Sequence, residues 1–116
     1  MGRIRKSLCG DSRRMSDLGF VIASAPERRD LETVQALASA AVQRGHTVSV
    51  FLMSEAVRAL PGHRAMVALA ELGADLVACG QSLERHDIRD LGPASLGSQD
   101  DHARLADQAR RMVTFT

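Results

Sequence analysis

Short apolar runs alternate with segments of helical periodicity along almost the whole chain, and that alternation leaves few folds open. Leu18 to Ser24 is apolar and bounded by polar residues, which reads as a buried strand that Ala25-Pro26 breaks. Asp30 is a good N-cap, and Leu31, Val34, Leu37, Ala38, Ala41 and Val42 follow at helical spacing up to Gly45, a C′ glycine. Thr47–Met53 is a second strand, rich in β-branched residues. Ser54 is expected to cap a short helix carrying Ala56, Val57 and Leu60, stopped by Pro61-Gly62. A helix over about residues 64–72 ends at Gly73, and Asp75–Cys79 is a third strand. A short helix is predicted over 81–88, a very short strand over 94–96, and a helix over about 99–110. That last helix has Ser98 as its cap, with Asp101 in the capping-box position. Met112–Phe115 closes the chain as a strand. The order βαβαβαβαβ with nearly continuous apolar strands predicts an α/β fold, a parallel sheet covered by helices on both faces. Right-handed crossovers then set the hand of each unit.

At 116 residues the chain supports one domain, and 45% hydrophobic with 25% charged residues is the balance of an ordinary globular protein. No apolar run approaches the roughly 20 residues that span a bilayer. Two cysteines make no disulfide framework. Three aromatics, all Phe, argue against a base-stacking platform for nucleic acid. Lys6 is the only lysine, so the body has neither a Walker-type phosphate loop nor a Schiff-base lysine. A cytoplasmic location, with no membrane and no nucleic-acid partner, is expected.

Charge is unevenly placed. Residues 1–15 carry five basic groups and one acidic group, whereas residues 16–116 carry ten basic and thirteen acidic. A mildly acidic body is a poor nucleic-acid-binding face. The basic stretch, residues 1–16, is expected to be a flexible extension that is dispensable for folding, with residues 17–116 the single folded domain. It lacks the apolar region of a signal peptide, and Met15 is an alternative start.

In open parallel sheets ligands bind beyond the carboxyl ends of the strands. Those ends carry Ser24–Asp30, Met53–Glu55, Cys79–His86 and Gly97-Ser98, which are expected to converge on one edge. Cys79 is the most informative of these residues. It ends a strand, adjoins Gly80, and precedes a helix whose N-terminal N–H groups favour a thiolate. The thiolate is the nucleophilic form, so this placement points to a reactive thiol; the alternative is a small buried core residue.

The stretch Leu72-Gly73-Ala74-Asp75-Leu76-Val77-Ala78-Cys79-Gly80-Gln81-Ser82-Leu83-Glu84-Arg85 resembles the DsrE/DsrF-like sulfur-relay family, whose pattern is strand–Cys–x–x–Ser/Ala–x–x–Arg after a helix ending in Leu-Gly. The resemblance extends over about residues 18–116. It includes the Ser24-Ala25-Pro26 turn, the Arg44-Gly45-His46-x-Val48 joint, Gly97-Ser98 and the Arg111–Phe115 strand. It implies a three-layer α/β/α sandwich with a five-stranded parallel sheet, assembled as a homo-oligomer, a trimer or hexamer. It also implies a sulfurtransferase-type role, in which Cys79 carries a persulfide between sulfur-donor and sulfur-acceptor proteins with no cofactor and no metal. Position suggests that Gly80 allows close approach, Ser82 donates a hydrogen bond and Arg85 holds negative charge, and of the histidines His86 is nearest the candidate site, as a supporting residue. Some family members lack the cysteine and only scaffold, so a non-catalytic oligomeric subunit with Cys79 in its core is the competing expectation.

The remaining candidates are weaker. Cys9 reads as an incidental thiol of the extension, with a second relay thiol or a redox partner of Cys79 as the alternatives. His46 reads as a strand-opening joint residue, and His63 and His102 as solvated. No Cys/His spacing fits zinc, and Asp100-Asp101 reads as helix N-terminal charge. The Ser24–Asp30 loop lacks the glycines of a dinucleotide site, and Arg28-Arg29 reads as a solvated pair. A flavodoxin-like cofactor binder is disfavoured, because no Ser/Thr/Gly-rich phosphate cradle and no stacking aromatic are present near that loop.

Overall fold

The computed structural model describes residues 16–116. Five strands form one sheet: β1 (Leu18–Ile22), β2 (Val48–Leu52), β3 (Asp75–Cys79), β4 (Ser95–Gly97) and β5 (Arg111–Phe115). Their order across the sheet is β4-β3-β2-β1-β5, and every pairing is parallel. Four α-helices connect them: α1 (Asp30–Gln43), α2 (Arg64–Glu71), α3 (Gly80–Arg85) and α4 (Gln99–Gln108). Short 3₁₀ segments fill Pro26–Arg28 and Ser54–Ala59. The fold is the expected parallel α/β sandwich.

The strand order explains the layers. From β1 to β4 the chain steps one way across the sheet, and right-handed crossovers keep α1, α2 and α3 on one face. The step from β4 to β5 runs back across the whole sheet, so the same hand puts α4 on the other face. Side chains alternate accordingly. Phe20, Ile22, Val50, Leu52, Leu76 and Ala78 point into the larger core with Leu31, Val34, Met66, Leu69 and Leu83. Val21, Phe51 and Cys79 point the opposite way and are buried with Leu105 of α4. Gly19 lets α4 lie close to the sheet: a Cβ there would meet Met112 Sδ at 2.7 Å and Leu105 Cδ1 at 3.0 Å.

Register aligns the carboxyl ends. Ile22 pairs with Leu52 and Phe115, Leu52 with Ala78, and Cys79 with Gly97. Ser16 is buried and its hydroxyl bonds that of Ser49. The expectations for residues 1–15, including Cys9 and Met15, lie outside the described residues. Among the described residues no helix is long and apolar enough to cross a membrane.

Local details differ from expectation in four places. Asp30 is the first helical residue, not the cap; Arg29 holds that position at φ 66°, and Asp30 Oδ2 accepts from Ser24 Oγ at 2.6 Å. The 3₁₀ turn at Pro26–Arg28 feeds straight into α1 and displaces the cap by one residue. Ser54 does not cap through its side chain; it opens a 3₁₀ segment at φ 53°. Helix α3 starts at Gly80 and stops at Arg85, while α4 stops at Gln108. The cap of α4 is as expected: Ser98 Oγ accepts from the Asp100 N–H at 3.2 Å, and Asp101 Oδ2 accepts from the Ser98 N–H at 2.8 Å. Ser98→Ala is expected to lower stability by about 1 kcal/mol in thermal or denaturant unfolding, the usual cost of a lost N-cap. An unchanged midpoint would mean the Asp101 half of the box suffices.

Candidate functional site

The site starts from the end of β3. Alternation along Asp75–Cys79 turns Ala78 into the larger core and Cys79 toward α4. Cys79 is extended, with φ −70° and ψ 122°, and is itself the N-cap of α3. The turn into helix immediately after it aims the first free N–H groups of α3 back at its sulfur. Burial pushes the thiol pKa up. The Ser82 N–H, the Ser82 hydroxyl, the Gln99 amide and the Gln81 N–H outweigh that effect, and the net shift is downward.

Proton accounting at Ser82 supports this. Ser82 is buried, and its Oγ accepts the Ser54 N–H at 2.8 Å. The hydroxyl hydrogen therefore remains available for the sulfur. The positive φ of Ser54 turns that N–H toward α3. From the other side Gln99 Nε2 donates to Cys79 Sγ at 3.5 Å. The thiol is only 2% exposed. It lies at the base of a shallow depression of about 350 Å³ lined by Gly80, Gln81, Gly97, Ser98, Gln99 and Asp100. Gly97 keeps β4 and α4 close there, because a Cβ would collide with Val77 Cγ1 and come within 2.7 Å of Asp101 Oδ2. Gly80 approaches β4 as well; a Cβ on it would meet Leu96 Cδ1 at 3.3 Å.

The four strand-end segments do meet. Ser54 is bonded to Ser82, Cys79 is paired with Gly97, and a chain of charged groups ties the outer loops. Arg58 holds Glu27 at 2.7 Å and Glu55 at 3.0 Å, and Glu55 Oε2 lies 3.4 Å from His86 Nε2. The hydrogen bond from Arg58 holds the Glu27 carboxyl below its ordinary range. His86 is thus engaged with Glu55 and outside the groups that bond the sulfur. Arg85, at the last turn of α3, is exposed and likewise outside that set. Gly80 and Ser82 are at the sulfur.

Gln99 is a site residue that the sequence does not single out. Its signal is indirect: the Ser98 cap fixes the first turn of α4, but the β3–β4 pairing that brings this turn to Cys79 is a tertiary fact. Two histidines also differ from the solvated expectation. His63 Nδ1 accepts the Ala65 N–H at 3.0 Å and caps α2. His102 stacks on Phe51, with ring centroids 5.3 Å apart. His46 lies 3.5 Å from Asp17 at the amino end of the sheet, far from the site edge. Among the described residues no group of three His, Cys, Asp or Glu side chains is placed to hold a metal.

These features define a parallel α/β sandwich with a strand-end cysteine held by donors from two helices. The chain belongs to the DsrE/DsrF-like family, whose model matches residues 16–115. Among solved structures it is similar to the crystal structure of the YchN protein from E. coli, with a TM-score of 0.72 and 20% identity. That match covers 87% of this chain and 100% of the other, and at this identity it shows the shared fold. Comparison with curated proteins finds no match.

Proposed function

We propose that this protein is a sulfur relay that accepts a persulfide sulfur on Cys79 and passes it to an acceptor thiol. The observation that carries the reading is the placement of the strand-end thiol, at the N-cap of α3 with the Gln99 amide donating to its sulfur at 3.5 Å; these donors favour the thiolate. The Cys79 thiolate attacks the terminal sulfur of a donor persulfide, R–S–SH. A bond from Sγ to that sulfur forms as the donor S–S bond breaks, and R–S⁻ leaves with the bonding pair. The terminal sulfur keeps its proton, and no net oxidation or reduction occurs. An acceptor thiolate then repeats the exchange on the Cys79 persulfide. The donors around Sγ lower the energy of the thiolate before the first step and of the leaving thiolate in the second. Membership of the DsrE/DsrF-like family supports a sulfur-related role and a homo-oligomer; a trimer or hexamer and a cytoplasmic setting belong to the same proposal.

Incubation with a persulfide donor is expected to add one sulfur atom to the intact mass, mapped to Cys79. Cys79→Ser is expected to abolish loading and Cys9→Ser to leave it intact. Loading that persists in Cys79→Ser would end this reading. A second reading, a non-catalytic scaffold, is favoured by the 2% exposure of Cys79 among Val21, Phe51 and Leu105. In that case the thiol would resist alkylation in the folded protein and react only on denaturation.

A further inference from the structure

We infer that His102 is a positioning residue that fixes which end of the Gln99 carboxamide faces the Cys79 sulfur. The inference rests on Cys79 as the sulfur-carrying thiol. Gln99 and His102 stand three residues apart on α4, a spacing that puts both on one side of the helix. Gln99 Nε2 lies 3.5 Å from Cys79 Sγ, and its Oε1 lies 3.1 Å from His102 Nδ1. The His102 ring is stacked on Phe51 at an interplanar angle of 20°, and Phe51 is packed in the same buried cluster as Cys79. The contacts run in series from sulfur to amide to imidazole to phenyl, and the phenyl belongs to the buried cluster that holds Cys79.

The chemistry of that series is directional. A carboxamide oxygen only accepts, so a hydrogen bond to it requires the proton on His102 Nδ1. With Nδ1–H pointing at Oε1, the amide N–H₂ end is turned to the sulfur. The flipped amide would set Oε1 against the thiolate and N–H₂ against Nδ1–H, two unfavourable contacts. An imidazole in its Nδ1–H tautomer thus favours the orientation that donates to a thiolate, and the Phe51 stack holds the ring in place. Of the nearby carboxylates, Asp101 accepts from the Ser98 N–H at 2.8 Å and from Arg104 at 3.0 Å. Asp100 lies at the rim of the depression. The donors from α3 are backbone groups and the Ser82 hydroxyl, whose oxygen in turn accepts the Ser54 N–H at 2.8 Å.

The test titrates Cys79 through the ultraviolet absorbance of its thiolate, in a Cys9→Ser background so that one thiol reports. Gln99→Leu and His102→Phe are each expected to raise the pKa by about 0.5–1 unit, a three- to tenfold loss of thiolate below the pKa. His102→Phe keeps the stack and loses the proton donor. His102→Asn loses the stack but places an amide N–H near the position of Nδ1, and is expected to keep most of the wild-type value. In Gln99→Leu, adding His102→Phe is expected to change nothing further. The inference is overturned if His102→Phe titrates as wild type, if His102→Asn rises as far as His102→Phe, or if the double variant shows additive shifts. The readout needs no sulfur donor. A protein that shows this pattern but loads no sulfur would therefore refute the relay reading and leave the role of His102 standing.

Discussion

Replacing Ser82 with alanine is expected to raise the Cys79 pKa by about 1–2 units, the equivalent of one charge-assisted hydrogen bond. Two losses combine. The sulfur loses the hydroxyl hydrogen of a buried donor, and the Ser54 N–H loses the acceptor it holds at 2.8 Å. The second loss adds about 1–3 kcal/mol of destabilisation, because the N–H is left without its partner. The pH dependence follows from the sign of the shift. The folded thiol titrates below its ordinary value, about 8.5 in an unfolded chain. Its contribution to stability is therefore fully present above about 8.5 and is lost as pH falls through the folded pKa. Denaturant unfolding of wild type, measured against Cys79→Ser, should show stability rising across that window. In Ser82→Ala the rise should shrink or vanish. Equal profiles would mean the hydroxyl points away from the sulfur.

Phe51→Ala and Phe20→Ala are each expected to cost about 3–5 kcal/mol, since both rings are fully buried in central strands. Their effects on the site should separate. Phe20 belongs to the larger core and sits against Phe115, with centroids 6.4 Å apart, on the face away from Cys79. Phe51 supplies the largest side chain of the smaller core, where Val21, Cys79 and Leu105 are its buried neighbours. Removing it opens space beside the sulfur and takes the floor from under His102. Alkylation of Cys79 at neutral pH should therefore change in Phe51→Ala and stay near wild type in Phe20→Ala, with unfolding curves taken on the same samples. Equal alkylation rates in both would show that the smaller core does not govern the thiol.

Much of the frame is legible before any tertiary contact is known. Apolar runs ending at Cys79 and Phe115, the glycines at 45 and 73, and the Ser98–Asp101 box are local signals, and local physics decides them. Cys79 is legible for the same reason: strand end, glycine and helix start are consecutive in the chain. The donors beyond α3 are not. Gln99 reaches the sulfur only because β4 pairs with β3, and His102 matters only because α4 crosses to the face that carries Phe51. Neither fact leaves a trace in the spacing of residues. The Asp30 cap fails for a related reason, since a 3₁₀ turn ahead of α1 takes the backbone through the left-handed region at Arg29. Arg85 matches its motif position yet stands in solvent, where the short helix α3 ends.

The two faces of the sheet are unequally clad. One is covered by α1, α2 and α3 with a broad apolar contact, whereas α4 alone covers the other and buries a single large residue, Leu105. A layer held by so little apolar area opens locally at a lower free energy than the rest of the domain. Cys79 lies beneath that layer. At 2% exposure that residue is shielded from solvent by the part of the fold expected to open most easily, and amide exchange faster in α4 than in α1 would show it.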